Sequence, residues 1–290
     1  MTKTRVLTVA QEGAPRGATV RNVLAQAASL GWLDGATGRA VLHVGAVGRT
    51  TLAVETAQAL AALLRERAPS LRLEILDPAE DGGEWNGFPR LAVDRHETVE
   101  VHGPRGIAVR VPLLWFESFF LVTVAAVHPD RRWRIAGVLQ AQAEMLAYLN
   151  PGMASGVLLA EAHRLGASDL AIACGSHPTD GDWWVASPID VLVEGSVARA
   201  AGIDPRHLPS IRTIARHELL ESWEATTAGP ELSGLAGGAA AASVLAAREH
   251  GASAVRRTLE DARLVSRNLR KVPQALRRRL AARTGKQETA

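Results

Sequence analysis

Val41 to Leu76, VLHVGAVGRTTLAVETAQALAALLRERAPSLRLEIL, decides the fold class. Val41 to Val44 is a short apolar run that passes into the turn Gly45-Ala-Val-Gly-Arg-Thr-Thr51. The helix behind it carries Leu52, Ala59, Leu60, Leu63 and Leu64 on one side, and Leu71 to Leu76 is the next apolar run. Strand, glycine turn, helix and strand form a βαβ unit, whose two strands are parallel and adjacent. Gly45 and Gly48 let backbone N–H groups approach an anion, the following helix offers its positive end, and Arg49, Thr50 and Thr51 add donors. The spacing is neither a Walker loop nor a dinucleotide fingerprint, so an ordinary strand-to-helix turn is the competing reading.

Outward from this unit the pattern continues. Gly17 to Leu33 has helical spacing in Val20, Val23, Leu24, Ala27 and Leu30. Asp77 to Pro89 reads as a loop, and His96 to His102 with Ile107 to Val111 as a hairpin around Gly-Pro-Arg-Gly. Phe119 to Val127 is a continuous apolar run, right for a central strand buried on both faces. Helices are expected at Trp133 to Leu149 and Met153 to Leu165, and a buried strand at Asp169 to Cys174. Ser187 to Arg216, SPIDVLVEGSVARAAGIDPRHLPSIRTIAR, reads as a helix behind Ser-Pro, a break at Ala-Gly, an Ile-Asp-Pro turn and a second helix after Leu-Pro. The expected fold is α/β, a mostly parallel sheet covered by helices, over residues 1–228.

Residues 229–290 are expected to be a Gly/Ala-rich linker and a basic amphipathic helical tail. From Arg256 to Lys286 eleven basic residues stand against Glu260 and Asp261, whereas residues 1 to 255 hold 22 basic and 27 acidic groups. Val255, Leu259, Val265, Leu269, Val272, Leu276 and Leu280 fall on one face of the tail, and Pro273 should kink it. Such a helix docks on its own body, a second subunit or a partner protein through residues 255–283. Its stripe is aliphatic, without the interleaved aromatics of single-strand binders, which argues against nucleic acid. No apolar run reaches the ~18 to 20 residues needed to span a bilayer, and the start MTKTRVLTVAQEG lacks the apolar core of a signal peptide. One cysteine, Cys174, excludes an internal disulfide. A cytoplasmic location is the expectation.

Ligands of parallel α/β sheets bind outside the carboxyl ends of the strands. Besides Arg49 and Thr50, the stretches meeting that description are His128 to Arg134, Cys174 to Asp182, and the loop near Arg110 and Pro112. His128 can move a proton near neutral pH, and Arg131, Arg132 and Arg134 suit bidentate contacts to a carboxylate or phosphate; a solvated loop with Trp133 tucked into the surface is the alternative. His177 lies in a loop with Asp180 and Asp182. We read it as substrate-side, without a metal, although it also fits a plain surface turn. Asp190 and Glu194 are four apart, hence on one helical face, where two carboxylates can split their pKa values and act as acid and base, or form a solvated face. Cys174 reads as a small buried residue, Trp183-Trp184 as core packing, and His163, His207, His217 and His250 have no assigned role.

The stretch Ser187 to Pro205 is similar to the closing segment of the domain-of-unknown-function family 362, an Asp-Pro-Val-Ala-x-Asp helix before a Gly-x-Asp-Pro turn. The resemblance spans about residues 40–218 and includes Val41 to Thr51 and Phe119 to Gln140. The chain departs from the family in having His43-Val-Gly where the family has Lys-Pro-Asn. It keeps His128 without the accompanying lysine, and Gln140 stands where a Lys-Asn pair would begin. Many family members carry a cysteine-ligated iron–sulfur domain, which one cysteine cannot supply. The resemblance implies a site around His128, Gln140, Asp190 and Glu194.

Together these readings give an enzyme of specialised bacterial metabolism, of isomerase or lyase type, acting on a small anionic, carboxylated substrate by cofactor-independent proton transfer. His128 is its proton-transfer candidate, Asp190 or Glu194 the second acid/base group, and Arg49, Arg131 and Arg132 the anion clamps. The rival is a non-catalytic family member that binds a partner protein or an anionic surface through its basic tail.

Overall fold

The computed structural model describes residues 6–11, 37–45, 51–76, 83–85, 88–91, 93, 97–103, 106–130, 132–165, 168–177, 181–216 and 226–228. The expected helix at 17–33, the turn residues 46–50, the linker and the basic tail lie outside them. The chain divides into units Met1–Leu245 and Ala246–Ala290, and all the described residues belong to the first.

Among the described residues the strands are β1 (Val6–Gln11), β2 (Gly38–Val44), β3 (Leu71–Leu76), β4 (Gly83–Trp85), β5 (Phe88–Leu91), β6 (Thr98–His102), β7 (Ala108–Pro112), β8 (Phe120–Ala126), β9 (His128–Asp130), β10 (Arg134–Ala136), β11 (Leu170–His177), β12 (Gly181–Ser187) and β13 (Thr226–Ala228). The helices are α1 (Thr51–Arg67), α2 (Leu114–Glu117), α3 (Val138–Leu149), α4 (Ser155–Arg164), α5 (Asp190–Ala200) and α6 (Pro209–Arg216).

Nine strands form the main sheet in the order β13-β1-β12-β11-β8-β2-β3-β5-β4. Its centre is parallel: β11 with β8, β8 with β2, β2 with β3 and β3 with β5. Antiparallel neighbours flank that centre, β12 between β11 and β1 on one side and β4 beyond β5 on the other. The βαβ unit read from Val41 to Leu76 is present, with Val41 opposite Glu74 and Leu42 opposite Ile75.

Every residue of β8 is buried, as its unbroken apolar run requires. Its alternate side chains serve two cores. Phe120, Val122, Val124 and Ala126 join Leu42, Val44, Ile172 and the inner face of α1, including Leu60 and Leu64. On the other face Ala125 joins Ala171, Ala173, Val138, Leu192 and Val197 from under α3 and α5. The α3 helix approaches closely: a Cβ on Gly45 would stand 2.9 Å from Ala141 Cβ, so only glycine fits at the end of β2.

Four expectations are corrected. The stretch expected as a loop, Asp77 to Pro89, holds β4 and the start of β5, which pair antiparallel at the edge of the main sheet. The helix expected from Trp133 begins at Val138, because Arg134 to Ala136 pair antiparallel with His128 to Asp130. Asp130 Oδ1 holds that turn by accepting the N–H groups of Arg132 at 2.8 Å and Trp133 at 2.7 Å. The loop expected at Cys174 to Asp182 is the end of a hairpin, with β11 running on to His177 and β12 beginning at Gly181. Arg110 and Pro112 lie in a separate two-stranded sheet with β6 and not in the main sheet.

Candidate functional site

At the carboxyl end of β8 the chain stays tied to its neighbours before it leaves the sheet. Val127 N–H donates to Cys174 O at 2.8 Å, and Gly45 N–H to Val124 O at 3.0 Å. Val127 therefore launches the β9–β10 hairpin from a fixed point, and Ala136 returns opposite His128 so that Gly137 stands beside Val127. His128 is half-buried, with Nδ1 3.4 Å from Ala126 O. Its Nε2 is buried and has no hydrogen-bond partner among the described residues.

Glu194 reaches the base of the same hairpin from α5. Its Oε2 lies 2.9 Å from the point where a Cβ on Gly137 would stand, and Val127 Cγ2 lies 3.8 Å from that point. A side chain at residue 137 would occupy the carboxylate's place, which explains the glycine. The backbone N–H groups of Val138 and Leu139 donate to the Glu194 carboxylate, so another element supplies the cap that α3 lacks in its own sequence. Ser210 Oγ donates to Glu194 Oε1 at 3.5 Å.

Two influences on Glu194 oppose each other. Burial, with 3% of the residue exposed, and the Asp190 charge disfavour its ionised form. The two N–H donors and Ser210 favour that form, but burial outweighs them, and the carboxyl is pushed up from 4.5 to about 8. At neutral pH Glu194 holds its proton.

Asp190 is also buried, at 7% exposed, so the acidic pair does not make a solvated face. Its Oδ1 accepts the Val191 N–H at 2.7 Å and lies 2.8 Å from His163 Nδ1. His163 had no role in the sequence. It is 27 positions from Asp190, and only the fold brings them together.

Gln140 lies in the first turn of α3, donating from Nε2 to Glu144 Oε1 at 3.1 Å, while its Oε1 is buried without a partner among the described residues. Arg132 stands at the exposed tip of the hairpin. Its Nη1 donates to Ser155 Oγ at 2.7 Å, and its guanidinium carbon lies 5.0 Å over the Trp133 ring. The segment Val127 to Gln140 thus carries His128, Arg132 and Gln140 and receives Glu194, with Asp190 one helical turn farther along α5. Arg49, Thr50 and Arg131 lie outside the described residues, as does the side chain of His177.

His43 is fully buried in β2 opposite Thr123. Cys174 is fully buried, and burial pushes its thiol up to about 12, which makes it an inert core residue. Trp184 is likewise core, with Nε1 donating to Thr56 Oγ1 at 2.9 Å. Among the described residues no three His, Cys, Asp or Glu side chains gather as a metal-binding set. No helix among them is long and apolar enough to cross a membrane.

No family model matches this chain, and no curated protein matches it. Among solved structures the chain is similar to the lactate racemase apoprotein from Thermoanaerobacterium thermosaccharolyticum, at 12% identity and a TM-score of 0.43. That match covers 63% of this chain and 54% of the other, so the chain spans about half the length of that protein.

Proposed function

We propose that this protein is an enzyme of isomerase or lyase type that moves a proton on a small carboxylated substrate without a cofactor. One observation carries this reading: a buried carboxyl, Glu194, whose burial favours the protonated form, sits at the base of the hairpin bearing His128, at the carboxyl end of a central parallel strand. Environments that push two titratable groups apart are how one site holds an acid and a base together.

In this reading the half-buried His128 imidazole takes a proton from the carbon beside the substrate carboxylate and leaves an enediolate-like anion. The Glu194 carboxyl gives its proton either to that carbon, which completes an isomerisation, or to a departing group, which completes an elimination. Arg132, with Arg131 and Arg49 as further candidates, offers charge to the substrate carboxylate, and Gln140 Oε1 offers an acceptor. Burial and, after it, the Asp190 charge favour the protonated form of Glu194, so Asp190 acts through Glu194 rather than by touching substrate.

The test is native mass spectrometry of the purified full chain and of a variant lacking residues 256–290. A small carboxylic acid retained by both supports the enzyme. Retention of nothing small, together with a protein complex that vanishes when the tail is removed, supports the partner-binding alternative and overturns this reading.

A further inference from the structure

The reaction as written uses His128 and Glu194 directly, and His163 takes no part in it. His163 nevertheless contacts Asp190 and is partly open to solvent. Its side chain is 16% exposed against 8% for Asp190, and the 2.8 Å contact joins its Nδ1 to Asp190 Oδ1. Asp190 and Glu194 share a face of α5 one turn apart, with Cβ atoms about 5–6 Å apart by helix geometry.

Among the described residues, several polar and charged groups on the flanking elements are engaged elsewhere or neutral. Arg164, beside His163 on α4, holds Glu161 at 2.7 Å. Arg206 and Asp204, from the turn after α5, hold each other at 2.8 Å. Ser210 of α6 is a neutral donor, Gln142 of α3 donates to Ser168 Oγ at 2.8 Å, and Glu144 of α3 accepts from Gln140. Among the described residues His163 is in contact with Asp190, and the Asp190 charge, after burial, disfavours the ionised form of Glu194.

We propose that His163 is a positioning residue that sets the charge of Glu194 through Asp190, and so the pH range in which the acid holds its proton. The imidazole takes a proton from water and donates Nδ1–H to Asp190 Oδ1. As a cation it offsets the Asp190 charge and allows Glu194 to ionise. As a neutral ring it leaves that charge facing Glu194, whose proton is then retained. The consequence for catalysis rests on the function proposed above; the coupling itself does not.

The coupling is tested by following the Glu194 side-chain carboxyl carbon by ¹³C NMR in the full chain, the resonance being assigned by its loss in Glu194→Gln. In Asp190→Asn the midpoint should fall by about two pH units, the size expected for unit charges roughly 6 Å apart at an effective dielectric near 20. In His163→Gln, which keeps an amide donor but cannot become a cation, the midpoint should rise. Loosened packing would instead admit water and lower the midpoint in both variants. In the unsubstituted chain the Glu194 resonance should also show an inflection at the midpoint of the His163 ring. A His163→Gln midpoint that stays or falls overturns the proposal, as does a Glu194 curve without that inflection. Glu194 titrating near 8 without the coupling would still leave the proposed acid in place.

Discussion

Replacing Glu194 by glutamine separates two physical accounts of the buried carboxyl. Glutamine keeps the shape and an acceptor oxygen for the Val138 and Leu139 N–H groups but cannot ionise. In the unfolded chain Glu194 ionises at about its ordinary 4.5, and in the folded chain at about 8. The folded state therefore binds more protons between these values. Its stability from this group is fully present below 4.5 and is lost as pH rises through about 8. Each pH unit in that window removes about 1.4 kcal/mol from the parent and nothing from the glutamine variant. The variant should gain about 3 kcal/mol relative to the parent between pH 5 and pH 7, having started within about 1 kcal/mol of it. Urea unfolding of both proteins at pH 5, 6, 7 and 8 measures this directly. The opposite account is a carboxylate kept ionised by the positive end of α3. On that account the glutamine variant would lose ground as pH rises, and that result, or a flat difference, would refute the reasoning.

Gly137→Ala should destabilise the fold by about 1–3 kcal/mol, because the new methyl would stand 2.9 Å from Glu194 Oε2 against a buried backbone; urea unfolding without a change would mean that Glu194 is not seated there. Cys174, with its thiol pushed up to about 12, should react with iodoacetamide no faster than the native state opens. Labelling of the folded protein at the rate of a free thiol would contradict its burial.

The α/β class was legible because two local signals agreed. The turn after Val44 and the helical spacing from Leu52 to Leu64 required a parallel crossover, and the unbroken run from Phe120 to Ala126 required a doubly buried strand. The hairpin at His128 to Ala136 was not legible. Ile135, Val138 and Leu139 are compatible with a helical face, and the turn depends on one side chain, Asp130, folding back on the backbone. In the candidate site, the i,i+4 spacing of Asp190 and Glu194 was visible, but their burial was not, because Glu194 packs beside Gly137 and Asp190 beside His163, both far away in sequence. The His163 contact with Asp190 had no local signature, since α4 and α5 are separated by two strands of the sheet.

The most direct test of the proposed proton transfer is deuterium incorporation from D2O into the small carboxylate that the protein retains, followed by ¹H NMR. The account predicts deuterium at the carbon beside the carboxylate with the parent protein. It also predicts rates lower by roughly a hundredfold or more in His128→Asn and in Glu194→Gln, with the ligand still bound. A bound carboxylate that takes up no deuterium, or takes it up equally fast in both variants, would contradict it.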